Sequence, residues 1–210
     1  IFFPFVDTKF FRWCNRNNSN VTLYNHYGQC GVHQMKVSTD WYRRIVALFL
    51  YWYDWINYLW LVDHLFLPSL AMKNVLPTRW PSDRVSTLFP GCIVSNKQGK
   101  RYNKKDIGYL HLFYVGRVSP PLYDLTPLLD IVYEVNGVNL TLCCRGDEWE
   151  KVRSYYEPIE ESKVKIIHKS GKDLNKFYFN ADVFALIRKP NPYLNFAMPV
   201  KVFEALGYGL

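Results

Sequence analysis

Acidic residues are scarce in this chain. Its 210 residues hold 18 Asp+Glu against 26 Lys+Arg, a formal charge of +8. The imbalance is uneven: residues 1–100 carry 11 basic against 5 acidic side chains, and residues 101–210 carry 15 against 13. A basic surface draws nucleic acid, a membrane face or an anionic ligand. Zinc-finger spacing, an aromatic RNA-binding signature and an arginine-rich arm are all absent, so no nucleic-acid partner is expected. Cysteine is sparse too. Cys14, Cys30, Cys92, Cys143 and Cys144 are odd in number and scattered, with one adjacent pair inside an apolar run, which excludes a disulfide framework and a zinc-ligand spacing. Buried thiols in a reducing compartment are expected. No cluster of His, Asp and Glu suggests a metal, and no metal is expected. The sequons at Asn17, Asn20 and Asn139 matter only in a secreted protein, and no cleavable signal peptide precedes them, so the reading is cytoplasmic. The chain begins at Ile1 and stops at "LGYGL", where a glycine turn would lead into another strand; both ends are expected to be cut.

Apolar residues are plentiful, at 49% hydrophobic and 18% aromatic, enough for one large domain or two modest ones. The opening "FVDTKFFRWCNRNN" has helical spacing, and "SNVTLYNHY" follows as a strand. "WYRRIVALFLYWYDWINYLWLV", residues 41–62, is apolar nearly all round and approaches the roughly 18 to 20 residues of a membrane span. Asp54 in mid-helix opposes spanning, at about 2.5 to 3.5 kcal/mol in a bilayer. Two readings stay open: a helix packed in a domain core, or one lying in a membrane surface with help from Arg43 and Arg44. "VDHLFLPS" reads as a strand and "SLAMKNVLP" as a helix capped by Ser69. "STLFPGCIVSNKQGKRYNKKD" has linker composition, which divides the chain into residues 1–94, a linker at 95–107, and residues 108–210.

Beyond the linker, strands and helices alternate. "YLHLFYVGRV", "NLTLCC", "KVKIIHKSG" and "DVFALI" read as strands; "YDLTPLLDIVYEV", "GDEWEKVRSYYEPI" and "KDLNKFYFNA" read as helices between them. This is the pattern of parallel βαβ units, a doubly wound α/β layout that binds ligands at the carboxyl ends of its strands. In "FAMPVKVFEALGYG", Pro199 lacks only an amide that a helix start would leave unbonded, so a helix is expected to begin there. Such an end attracts phosphate, and Lys201 adds a full charge. Glu204 would repel that anion unless it binds another part of the ligand. Ribose hydroxyls suit it, so the pairing suggests a nucleotide.

The succession "LFYVGRV", "LTLCCRGDEW", "KVKIIHKSG", "ADVFALI" and "FAMPVKVFEALGYG" resembles the C-terminal, donor-binding domain of a GT-B glycosyltransferase, closest to glycosyltransferase family four, the group 1 glycosyl transferases. "LVDHLFLPSLAMKNVLP" resembles the last strand and helix of the N-terminal domain, while residues 1–60 match loosely. The resemblance implies an α/β, GT-B type fold: a doubly wound, Rossmann-like donor domain at 108–210 and a partial Rossmann-like acceptor-side domain at 1–94. It implies that Gly116 and Arg117 approach the donor diphosphate, that His168, Lys169, Ser170 and Gly171 line the base pocket, that Pro199, Val200 and Lys201 face the diphosphate, and that Glu204 holds the ribose. Gly116 as a plain tight turn and His168 as part of an ordinary polar loop are the competing structural readings. Two positions depart from the family pattern. Phe196 stands where many members carry a first glutamate, eight residues before the second, and Leu122 and Tyr123 stand where a lysine is usual. Relatives with "PVK" before the glutamate also lack the first carboxylate, which makes this a subfamily trait.

The implied activity is hexosyl transfer from a nucleoside diphosphate sugar to an acceptor hydroxyl, with retention, in glycan or polysaccharide biosynthesis. Arg117 and Lys201 would stabilise the leaving diphosphate, and no cofactor is required. His26 is a candidate for acceptor contact or proton transfer, against a structural histidine. A lipid-linked glycan acceptor, with contact through residues 41–62 to the inner face of the plasma membrane, fits the basic aromatic segment. The alternatives are a non-catalytic sugar-nucleotide-binding pseudoenzyme or partner subunit, and a basic membrane-surface interaction protein.

Overall fold

The computed structural model describes residues 2–3, 8–17, 24–26, 40–75, 81–94, 108–190, 194–195 and 198–210. They fall into two compact units, Ile1–Pro90 with Pro190–Met198, and Gly91–Lys189 with Pro199–Leu210. The expected linker at 95–107 lies outside the described residues, as does Phe196.

The first unit has a parallel four-stranded sheet in chain order: β1 (Phe2–Phe3), β2 (Tyr24–His26), β3 (His64–Leu67) and β4 (Val85–Thr87). Helix α1 (Thr8–Asn17) follows β1, and α2 (Trp41–Leu61) precedes β3. Two strands lie outside the sequence reading. β1 is too short to show a period, and β4 sits just ahead of and inside the stretch read as linker. Val85–Thr87 becomes a strand because β3 supplies its backbone partners, with Leu65 opposite Val85. In β3, Leu65 and Leu67 are buried while His64 and Phe66 are half-buried, as a period of two requires. The expected helix after Ser69 is a 3-10 turn, Leu70–Val75, whose Met72 amide donates to the Ser69 hydroxyl at 3.3 Å. The 21-residue α2 buries Ala47 and Leu61 but exposes Trp41, Ile45, Phe49, Trp52 and Ile56, so this face is not enclosed in a core. Among the described residues, no helix is long and apolar enough to cross a membrane.

The second unit holds the sheet β7-β6-β5-β8, wholly parallel, built from β5 (Leu110–Val115), β6 (Val138–Cys143), β7 (Val164–Ile167) and β8 (Val183–Phe184). The chain winds outward from β5 through β6 to β7, then returns to the other side of β5 with β8. Alternation along the strands splits the core into two layers. Leu112, Tyr114, Leu140 and Leu142 pack with α3 (Thr126–Glu134) and α4 (Gly146–Tyr156), through Leu128, Leu129, Val132, Trp149 and Tyr156. Phe113 and Cys143 point the other way, to α5 (Asn175–Asn180) and α6 (Val200–Gly207), through Tyr178 and Ala205. Helices therefore cover both faces, which explains why β5 and β6 read as nearly continuous apolar runs. The expected helix at "KDLNKFYFNA" begins as a 3-10 turn, Gly171–Leu174, before α5.

Gly137 turns α3 into β6 at φ +77°, and a Cβ there would lie 2.3 Å from the Gly108 carbonyl oxygen. Gly137→Ala is expected to destabilise the fold by at least about 1–3 kcal/mol, the range for a non-glycine residue held in a strained conformation. A chemical denaturation curve checks it, read as a lower midpoint at unchanged slope.

Candidate functional site

The carboxyl ends of β5, β6 and β7 open into a cleft of about 500 Å³. Its wall takes Gly116 and Arg117 from the turn after β5, Cys143 to Glu148 from the end of β6 through the first turn of α4, His168 to Gly171 from the turn after β7, and Lys201 from the first turn of α6. Seven of the residues expected from sequence thus meet in one cavity: Gly116, Arg117, His168, Lys169, Ser170, Gly171 and Lys201. Pro199, Val200 and Glu204 belong to the same helix start but do not line the cavity wall. His26 lies in β2 of the other unit.

Several hydrogen bonds hold the turn after β5. The Gly116 amide donates to the Cys143 carbonyl at 3.1 Å, and the Tyr114 hydroxyl donates to the Arg117 carbonyl at 2.5 Å. Glu148 accepts from the Val118 amide at 3.1 Å and from the Ser119 hydroxyl at 2.5 Å. Tyr156 donates to the Val118 carbonyl at 2.8 Å and accepts from the Leu125 amide at 3.2 Å. A tight turn is therefore present at Gly116, where a Cβ would come within 3.0 Å of the Tyr114 hydroxyl. The Arg117 guanidinium sits 5.7 Å from the Tyr123 ring, a cation–π contact, so Tyr123 steadies the cation.

Glu148 is the residue that sequence reasoning missed. Its signal was a strand followed by glycine and acidic residues in "CCRGDEW", but nothing local says that the carboxylate crosses to another loop. Glu148→Ala would leave the Val118 amide and Ser119 hydroxyl without their acceptor, at about 1–3 kcal/mol for an orphaned group. A lower melting midpoint is the expected result, read by thermal unfolding.

The charges of the cleft are unequally engaged. Arg145 pairs with Asp147 at 3.1 Å, both exposed. Lys201 donates to both oxygens of Glu204, at 2.8 and 2.6 Å. Among the described residues, Arg117 and Lys169 make no ion pair. The first turn of α4 carries Asp147 and Glu148, which already complement that helix end. The first turn of α6 carries no acid. Pro199 is the residue before α6, not its first helical residue: its carbonyl accepts from the Val202 amide at 3.1 Å, and the helix runs from Val200.

His168 donates from Nδ1 to the Cys144 carbonyl at 3.0 Å, and its ring packs beside Gly146. One edge of the ring thus ties β7 to the turn after β6. Burial pushes the Cys144 thiol up to about 12 and raises that of Cys143, so both stay protonated and inert at neutral pH. The expectation of buried thiols holds for Cys14, Cys143 and Cys144, but Cys92 is exposed. Among the described residues, no group of three or more His, Cys, Asp or Glu could hold a metal ion.

No family model matches the sequence, and no curated protein does. Solved structures do match. The lipopolysaccharide outer core galactosyltransferase WaaB, in its apo form, superposes with a TM-score of 0.59 at 12% identity over 98% of this chain and 53% of its own. TarM superposes with a TM-score of 0.53 at 12% identity over 84% of this chain and 33% of its own. The fold is that of the GT-B glycosyltransferases. This chain spans about half the length of the first GT-B structure and a third of the second. At this identity the likeness speaks for the GT-B fold alone, and the chemistry rests on the cleft.

Proposed function

We propose that this chain, with a partial acceptor-side domain at 1–94 and a donor-binding domain at 108–210, comes from a retaining glycosyltransferase of the family-four kind, moving a hexose from a nucleoside diphosphate sugar to an acceptor hydroxyl. The observation that carries the reading is the convergence of Arg117, Lys169 and Lys201 on one cleft at the carboxyl ends of β5 to β7. Three cations there suit a diphosphate, and Glu204 lies one turn further along α6 for the ribose hydroxyls. Transfer breaks the bond between the anomeric carbon and the diphosphate oxygen, and negative charge grows on the departing group. Arg117 and Lys201 stabilise that charge. The residues after β7, His168 to Gly171, border the base. His26, on β2 of the first unit, is assigned to acceptor contact or proton transfer.

The acceptor is proposed to be a lipid-linked glycan at the cytoplasmic membrane face. Support comes from α2, whose exposed Trp41, Phe49 and Trp52 accompany a net charge of +6 over residues 1–100. Phe196, in place of the family's first glutamate, favours a second reading: a sugar-nucleotide-binding partner subunit without turnover. Calorimetric titration with UDP, GDP, ADP and their sugar conjugates tests the donor site, and release of free sugar from the bound conjugate separates enzyme from partner subunit. Failure of a folded chain to bind any of them would sink both.

A further inference from the structure

We infer that Lys201 is shared between Glu204 and the donor diphosphate, so that phosphate binding uncovers the ribose carboxylate and the two recognitions are coupled. The inference rests on the donor-site reading above and adds to it an order of events. Glu204 is crowded. Its Oε1 accepts from Lys201 at 2.8 Å, and its Oε2 accepts from Lys201 at 2.6 Å and from the Tyr178 hydroxyl at 3.1 Å. A ribose diol donates two hydrogen bonds, most favourably one to each oxygen of a carboxylate. An ammonium seated across both oxygens stands where that diol would approach.

The two partners of Glu204 differ in how readily they leave. Tyr178 is 2% exposed, stacked on Tyr208 at 4.7 Å and edge-on to Phe113 at 5.0 Å, so its hydroxyl cannot swing away. Burial and then the Glu204 charge push that hydroxyl's pKa up, which keeps it a proton donor. Lys201 is a flexible cation whose side chain is 40% exposed, and a half-exposed i,i+3 ion pair breaks at little cost. It also lines the cleft beside Arg117 and Lys169. A diphosphate arriving there competes for the ammonium with a larger charge. When Lys201 turns to phosphate, Tyr178 keeps one side of Glu204 in place and the rest of the carboxylate becomes available to the diol.

The test compares nucleosides with their diphosphates by NMR titration, for wild-type protein and Lys201→Met. Lys201→Met is expected to weaken the diphosphate at least tenfold yet tighten the matching nucleoside (uridine, guanosine or adenosine) by about two- to fivefold, the worth of an exposed ion pair. A second arm needs no variant: inorganic pyrophosphate, by drawing Lys201 away, is expected to tighten nucleoside binding to the wild type by a similar factor. Equal weakening of nucleoside and diphosphate in Lys201→Met, or a pyrophosphate that leaves nucleoside affinity unchanged or lower, overturns the shared role. If the wild type binds none of the diphosphates, the donor site itself is refuted, and the coupling with it.

Discussion

Glu204→Ala is expected to abolish nucleotide binding by a chain that remains folded. The carboxylate is 38% exposed at the side-chain level and lies on the surface of α6, while the neighbouring Ala205 carries the packing against Phe113 and Tyr178. Its removal therefore costs little core contact. Under the proposed donor site, what it removes is the acceptor pair for the ribose hydroxyls; it also leaves the buried Tyr178 hydroxyl without its acceptor. Hydrogen bonds to a charged group contribute about 1.5–3 kcal/mol each, so losing two weakens binding by about two orders of magnitude or more. Titration of the variant with the nucleotide that the wild type binds is the measurement, with far-ultraviolet dichroism as the control for folding. An affinity that stays within threefold of the wild type would remove Glu204 from the site. Under the reading of a membrane-surface protein, the same variant would leave vesicle binding untouched and no nucleotide would bind either form.

The second large effect falls on turnover. Arg117→Met is expected to lower kcat about 10²- to 10³-fold, the loss seen when one preorganised donor to a developing charge is removed, with a smaller change in KM. Three features make Arg117 preorganised. Its turn is clamped by Tyr114, Tyr156 and Glu148, its guanidinium is steadied over Tyr123, and no acid among the described residues competes for it. Lys201 differs, since it is paired with Glu204. A steady-state assay of sugar release decides the matter: a raised KM at unchanged kcat would make Arg117 a binding contact without a role in the transition state.

Much of the second unit was legible because its physics is local. β5 and β6 are buried on both faces and read as apolar runs; α3 and the residue before it place Leu125, Leu128, Leu129 and Val132 at helical spacing. Gly116 follows β5 directly, Gly171 closes the short turn after β7, and Pro199 stands at the entry of α6. The three-residue β4 was hidden, since Val85–Thr87 has no periodicity of its own and exists only as the partner of β3. The 3-10 turns after Ser69 and Ser170 were read as helices because composition does not distinguish the two hydrogen-bond patterns.

The sequence by itself determined which residue types stand after each strand, the excess of cations over acids, and the helix start that carries Lys201 and Glu204. Only the tertiary structure decided that Glu148 reaches across to the turn after β5, that one edge of His168 is occupied by the Cys144 carbonyl, and that Tyr178 and Lys201 share the Glu204 carboxylate. The physical reason is range. Periodicity and capping act over a few residues and are written in the chain, whereas these contacts join residues 24 to 30 positions apart, or one turn of helix against a buried ring, and form only when the sheet brings the strand ends together.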